Sequence, residues 1–243
     1  MNQTRPTGSI KNLLYILGGL GGISLIILIH EMGHFLFAQF FGVATPIFSL
    51  GFGPALFSFP ISQTVFTVAL LPFGGYVEMD PTGFAELSYF PKMLILSAGI
   101  LFNLIFAWII LMYYAIRNKS TLKNTITKTF TASQTADQTE SSPEDNIIGP
   151  VGIISMIGKS LAINPQLYWF ILAILSLNMG LFNILPLPFF DGGKAFIITL
   201  EIIMGKTIPQ TALWLVSTAF LALFILFITR VTIHDIKRLI GKK

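Results

Sequence analysis

Two histidines four residues apart, with a glutamate directly after the first, are the residues of this chain best suited to chemistry. They stand in the segment His30-Glu31-Met32-Gly33-His34. Residues four apart lie on one face of a helix, so both imidazoles can hold a single Zn²⁺ ion. Glu31 projects beside that face, where a carboxylate can take a proton from a water molecule at the metal. The pattern predicts a metal-dependent hydrolytic site. The alternative is a hydrogen-bonded polar patch between helices.

A catalytic zinc ion normally has a third protein ligand, and the chain has no cysteine to supply it. Asp191 is the best candidate. Pro186 and Pro188 break the preceding helix, and the Gly192-Gly193 pair allows a turn that can aim a carboxylate inward. The alternative role for Asp191 is to cap a helix at the membrane edge. His234 stands in a basic tail, where a surface position is the better interpretation.

The composition places these residues in a membrane. Hydrophobic residues make up 53% of the 243 residues and charged residues 11%, whereas soluble globular proteins carry roughly 25% charged residues. The net charge of +4 suits anionic lipid head groups, and nothing indicates a nucleic-acid groove. We therefore predict an all-α, multi-pass membrane protein. Four stretches are long and apolar enough to cross a bilayer: Leu13–Phe41, Met93–Ile116, Leu167–Phe190 and Ile208–Thr229.

Two segments between these spans differ from them in composition. In Pro46–Val77 the glycines and prolines are too closely spaced for a long helix, and the apolar stretch Thr64–Leu71 predicts a strand. We predict a β-hairpin that re-enters the membrane after the first span. Residues 117–146 are rich in serine and threonine and predict a polar linker, too short to be a folded domain. This divides the chain into a first half of the membrane core (1–116), the linker (117–146) and a second half (147–243), which the apolar segment Ile147–Ile163 opens.

The motifs resemble a known family. His30–His34 in the first span, together with Asn183–Gly193 in a later one, resembles the site-2 protease family of intramembrane zinc metalloproteases. The resemblance covers nearly the whole chain in order. It extends to the family's re-entrant β-loop and to the starts of its later helices, in the segments Gly51–Pro54, Leu71–Val77, Ser97–Asn103 and Gly149–Gly152.

The resemblance implies a zinc site with one Zn²⁺ per chain. His30, His34 and Asp191 would be its ligands, and Glu31 the general base. The re-entrant loop would offer a strand edge to an unwinding substrate helix. The implied substrates are single-span membrane proteins, such as anti-sigma factors, or remnant signal peptides in a bacterial inner membrane. Candidate substrate-binding residues are Asn178, Asn183, Val65, Thr67, Gly74 and Gly75. Asparagines also join helices in membranes, so a packing role stays open for those two.

The chain departs from the family pattern at two points. Many bacterial members carry PDZ domains between the second and third core spans, and the linker is too short for one. Lys194 stands where many relatives have a histidine.

Two lines of reasoning give opposite orientations of the chain in the membrane. Most basic residues lie on the side of the two termini and the linker, which the positive-inside rule places in the cytoplasm. The family resemblance implies the opposite orientation, and we follow it.

Two other functions fit part of the sequence. A catalytically silent membrane protein of the same fold could bind helices, but loss of Glu31 or Asp191 would be its expected mark, and both are present. A metal-ion transporter would need polar residues along several spans, and the second and fourth predicted spans offer almost none.

Overall fold

The computed structural model describes residues 8–117 and 150–240. Four of its helices are long and apolar enough to cross a membrane, over Lys11–Phe40, Tyr89–Ile116, Pro165–Ile184 and Gln210–Ile233. This confirms the predicted polytopic membrane fold. The predicted linker lies almost entirely outside the described residues and stays a prediction.

The elements follow one another as helices around one β-hairpin. In chain order they are α1 (Gly8–Phe40), β1 (Ile47–Ile61), β2 (Thr64–Glu78), α2 (Pro81–Glu86), α3 (Tyr89–Arg117), α4 (Pro150–Ile163), α5 (Pro165–Ile184), α6 (Asp191–Met204) and α7 (Gln210–Ile240).

The third span is shorter than predicted. We predicted Leu167–Phe190, but α5 ends at Ile184. Proline lacks the backbone N–H that would continue a helix, and it disfavours helical geometry in the residue before it. Pro186 and Pro188 therefore stop α5 early, and Phe189 turns the chain with a left-handed φ of 74°. Asp191 begins a separate helix rather than ending the span.

The hairpin after the first span is present and folds back on itself. β1 and β2 pair antiparallel, from Ile61 opposite Thr64 at the turn to Phe57 opposite Val68. Residues 47–50, at the start of β1, lie opposite both residues 65–68 and residues 75–78 of β2. The start of β1 is thus flanked on both sides. Within the described sheet, residues 75–78 form an edge with one neighbouring segment.

Helix α1 lies at the centre of the bundle, where small residues let backbones approach closely. A Cβ atom at Gly33 would overlap the carbonyl group of Ala98 in α3, and one at Gly19 would overlap that of Ile154 in α4. Such small-residue contacts are a usual means of helix association in membranes. Beside them is a core cluster of buried side chains, formed by Ile26, Ile157, Tyr168 and Leu172. The close contact of α1 with α3 fixes the surroundings of the two histidines.

Candidate metal centre

The structure brings His30, His34 and Asp191 together in the interior of the protein. The histidines lie one turn apart on α1 and are 4% and 5% exposed, and Asp191, the first residue of α6, is 6% exposed. Within residues 8–117 and 150–240, these three form the one cluster of potential metal ligands, with ligand atoms within 4.8 Å of one another. His234 is part of α7, and its side chain lies outside the described ones.

Three ligand atoms form a nearly equilateral triangle. Asp191 Oδ2 lies 3.1 Å from His30 Nε2 and 3.0 Å from His34 Nε2, and the two Nε2 atoms are 3.2 Å apart. His34 Nδ1 is 2.8 Å from the carbonyl oxygen of Ile95. A carbonyl oxygen can only accept, so this nitrogen donates, and a neutral His34 presents the lone pair of Nε2 to the carboxylate oxygen. Two acceptors facing each other are stabilised by a shared cation, and the triangle is therefore suited to a metal ion.

The turn before α6 determines where Asp191 points. The carbonyl oxygen of Phe190 accepts hydrogen bonds from the N–H groups of Gly193 and Lys194, at 3.0 and 3.2 Å. Gly192 and Gly193 lie so close to the carbonyl groups of the preceding turn that neither position has room for a Cβ atom. The turn thus places Oδ2 of Asp191 3.1 Å from Nε2 of His30 and 3.0 Å from Nε2 of His34. Asp191 is therefore a carboxylate that faces the histidines.

Glu31 and the triangle open into one cavity of about 870 Å³. Gly75 of β2 is packed so closely on α1 that an added Cβ would contact Glu31 Cγ and the side chain of Ile27. The hairpin edge thus runs directly past the glutamate. Most of the remaining cavity wall is apolar, and includes Leu96, Met179, Phe182, Phe189, Phe190, Phe224 and Phe227.

The candidate substrate-binding residues separate into two groups. Gly74, Gly75 and Asn183 line the cavity, and Asn183 Nδ2 donates to the carbonyl oxygen of Met179 at 2.9 Å. Asn178 is exposed and does not line the cavity, because five residues along a helix turn a side chain by about 140° away from Asn183.

The two residues proposed from the first arm of β2 also lie away from the cavity. Val65 pairs with Ile47 and Pro60, and Thr67 pairs with Ser49 and Ser58. Neither is among the cavity-lining residues. Both belong to residues 65–68 of β2, which lie between the start of β1 (residues 47–50) and its end (residues 57–60). The later part of β2, residues 75–78, is the edge that runs past Glu31.

Sequence reasoning gave no role to three residues of α3 that contact the histidines. Ile95 accepts from His34, and Asn103 Nδ2 lies 3.2 Å from His30 Nδ1. Gly99 lies between them, and a Cβ atom there would overlap both imidazoles. The spacing of four residues between Ile95, Gly99 and Asn103 places all three on one helix face. That spacing could have been recognised in the sequence, but it does not indicate which helix this face of α3 contacts.

Sequence comparisons identify the family. Residues 18–227 match the sequence model of Peptidase family M50. The chain belongs to this family. The match covers both histidines, Glu31 and Asp191, and it confirms the predicted resemblance to site-2 proteases.

Relatives of this M50 chain carry provisional names as zinc metalloproteases. One from Clostridium perfringens is 24% identical over 331 residues, covering 92% of this chain and 98% of the relative. One from Borreliella burgdorferi is 37% identical over 118 residues, covering 41% of this chain and 27% of the relative. One from Helicobacter pylori is 34% identical over 115 residues, covering 41% of this chain and 33% of the relative. The last two matches thus span a third of each relative or less. The Clostridium match is longer than this chain, so that relative contains inserted residues.

Lys194 is expected to contribute little to the metal centre of this M50 chain. Its Nζ is 3.7 Å from Asp191 Oδ1, the oxygen that does not face the histidines, and its side chain is 60% exposed. Asp191 is buried, but solvent screens the exposed ammonium group of Lys194, so we expect this pair to contribute at most about 1 kcal/mol. Lys194→Met should therefore leave zinc affinity, measured by competition with a chelator, within about fivefold of wild type. A larger loss would assign Lys194 a part in holding Asp191.

Proposed function

We propose that this M50 chain is an intramembrane zinc endopeptidase that hydrolyses a peptide bond within or near a transmembrane segment of its substrate. The observation that carries the proposal is the buried triangle of His30, His34 and Asp191, which opens beside Glu31 into a cavity bordered by a strand edge. The family membership and the names of the relatives support it.

The triangle fits zinc in its donor atoms and its size. Two imidazole nitrogens and one carboxylate oxygen are ligands that zinc accepts, and three protein ligands leave one position for water or substrate, as catalytic zinc sites do. Bonds of 2.0 to 2.1 Å in a tetrahedron place ligand atoms about 3.3 Å apart. The observed separations of 3.0 to 3.2 Å are close to that value. We infer one Zn²⁺ ion per chain.

Each residue at the centre then has a distinct task. Zinc, when bound, supplies a Lewis acid that polarises the scissile carbonyl group and acidifies water. The carboxylate of Glu31 accepts the proton from the attacking water and passes it to the leaving amine. His30, His34 and Asp191 would hold the ion in the interior of the protein, where all three side chains are buried. The hydrolysis adds one water across the peptide bond and needs no further reactant.

The strand edge and the apolar wall favour an extended, hydrophobic substrate. A helical peptide bond is hydrogen-bonded and hidden, so a transmembrane helix must unwind before water can attack it. Gly75 belongs to the edge that runs past Glu31, and Gly74 lines the cavity beside it, so an extended segment can pair there by backbone hydrogen bonds. We infer that single-span membrane proteins, including anti-sigma factors, or remnant signal peptides in a bacterial inner membrane are the substrates.

Metal removal tests this proposal. The purified chain in detergent, incubated with a panel of single-span substrates, should cut at least one of them and contain about one zinc per chain. A chelator should abolish cleavage, and added Zn²⁺ should restore it. Product masses should place the cut within or beside the apolar segment. Zinc binding without cleavage of any substrate would favour the silent helix-binding protein, and absence of zinc binding after metal is supplied would remove the basis of the proposal.

A further inference from the structure

Asn103 has a fully buried side chain in which one of the two polar atoms lacks a hydrogen-bond partner. It is 0% exposed, and its Nδ2 lies 3.2 Å from His30 Nδ1. Its Oδ1 is the one buried side-chain nitrogen or oxygen, in the part of the chain that the structure describes, without a hydrogen-bond partner. The two ends of an asparagine amide exchange places by rotation, and which end faces the imidazole follows from the hydrogen bonds it makes.

The two orientations of the Asn103 amide require the proton of the neutral His30 ring to lie on different nitrogens. If Nδ2 donates to His30 Nδ1, the proton of the neutral ring must sit on Nε2, where it points at Asp191 and blocks the lone pair. If Oδ1 accepts from Nδ1–H, Nε2 is free to bind a cation. The hydrogen bond at the second nitrogen decides which ring nitrogen can bind a metal.

At His34, a hydrogen bond from α3 determines which ring nitrogen carries the proton. The carbonyl oxygen of Ile95, which can only accept, takes the Nδ1 proton of His34. Ile95 and Asn103 lie on the same face of α3, one turn to either side of Gly99. Each histidine of α1 therefore meets one partner from α3 at Nδ1, and both Nε2 atoms face Asp191.

We propose that Asn103 is a positioning residue that accepts the Nδ1 proton of His30 through Oδ1, and thereby fixes His30 as a ligand through Nε2. Asn103 does not contact the reacting atoms and acts only through His30. This inference deepens the proposed function and rests on it, because it concerns the same metal centre. Partners of this kind typically change metal affinity by 10- to 100-fold when removed.

Zinc affinity separates an accepting Asn103 from a donating one. Asn103→Asp keeps an oxygen acceptor and removes the donor, whereas Asn103→Leu keeps the size and removes both. For the full chain in detergent, competition with a chelator should show a loss of zinc affinity of about 10- to 100-fold for Asn103→Leu. Asn103→Asp should lose less than tenfold. Ser176→Ala is the matched control, since Ser176 is equally buried and its Oγ donates to the backbone oxygen of Asn103 rather than to the amide side chain. It should bind zinc as wild type does.

Two results overturn the inference. One is a loss below tenfold in Asn103→Leu, and the other is a loss of tenfold or more in Asn103→Asp. If Asn103→Leu does not fold, Asn103→Asp decides alone by the same threshold. Wild-type protein that binds no zinc would refute the proposed function itself. Wild-type protein that binds zinc, with an unaffected Asn103→Leu, would refute only the role of Asn103.

Discussion

Replacing Glu31 by glutamine is expected to slow peptide-bond cleavage by about a thousandfold and to leave zinc bound. A positioned general base contributes typically 10²- to 10⁴-fold to a rate, and glutamine cannot accept a proton at neutral pH. The substitution keeps the size of the side chain. Glu31 Cγ lies beside Gly75 of the hairpin edge, where an added Cβ atom would come within 3.0 Å of it, and glutamine retains Cγ. The loss should therefore fall on proton transfer rather than on packing.

The geometry also predicts that metal binding survives in Glu31→Gln. The three ligand atoms belong to His30, His34 and Asp191, and Glu31 lies beside them in the cavity wall. Zinc content by elemental analysis should stay near one per chain, and capture of a tagged substrate should be unchanged. This split, in which chemistry is lost and binding is kept, distinguishes an enzyme from a helix-binding protein that merely contains the motif.

Glu86→Gln provides the matched control for this experiment. Glu86 is an exposed acid at the end of α2 that does not line the cavity, and the same change of charge there should leave cleavage at the wild-type rate. Cleavage by Glu31→Gln at more than a tenth of the wild-type rate would show that another group handles the proton. Loss of zinc from Glu31→Gln would instead show that Glu31 supports the ligands.

The sequence predicted those parts of the centre that depend on local spacing. The His30–His34 interval needs only a helix, and the Pro186–Gly193 pattern needs only a break and a turn. The rest depends on how elements rotate against one another. Asn178 and Asn183 look equivalent along the chain, yet the pitch of α5 directs only Asn183 into the cavity. The fold-back of β2 placed residues 75–78, rather than 65–67, past Glu31.

Replacing Gly99 by alanine is expected to lower zinc affinity by about a hundredfold, because adding a methyl group to a packed site costs about 1–3 kcal/mol and the histidines leave no room for one there. A Cβ atom at position 99 would lie against His34 Nε2 and the ring of His30, closer than Cβ atoms lie to non-bonded atoms in real proteins. The backbone of Gly99 is itself held against Gly33 of α1, so α3 cannot move away without losing the contact between the two spans. The imidazoles must therefore swing out of the triangle.

Gly21→Ala tests whether any added methyl group on these helices has the same effect. Gly21 lies on α1, and a Cβ atom there would have no atom within 4 Å. Glycine in a helix interior costs roughly 0.5–1 kcal/mol relative to alanine, so this control should bind zinc normally and unfold at an equal or higher temperature. Gly99→Ala should keep its helical content by circular dichroism in detergent while losing zinc in chelator competition. Wild-type zinc affinity in Gly99→Ala would mean that α3 does not approach the histidines as closely as the structure places it. The roles assigned to Ile95 and Asn103 would then lose their geometric basis, since both depend on that approach.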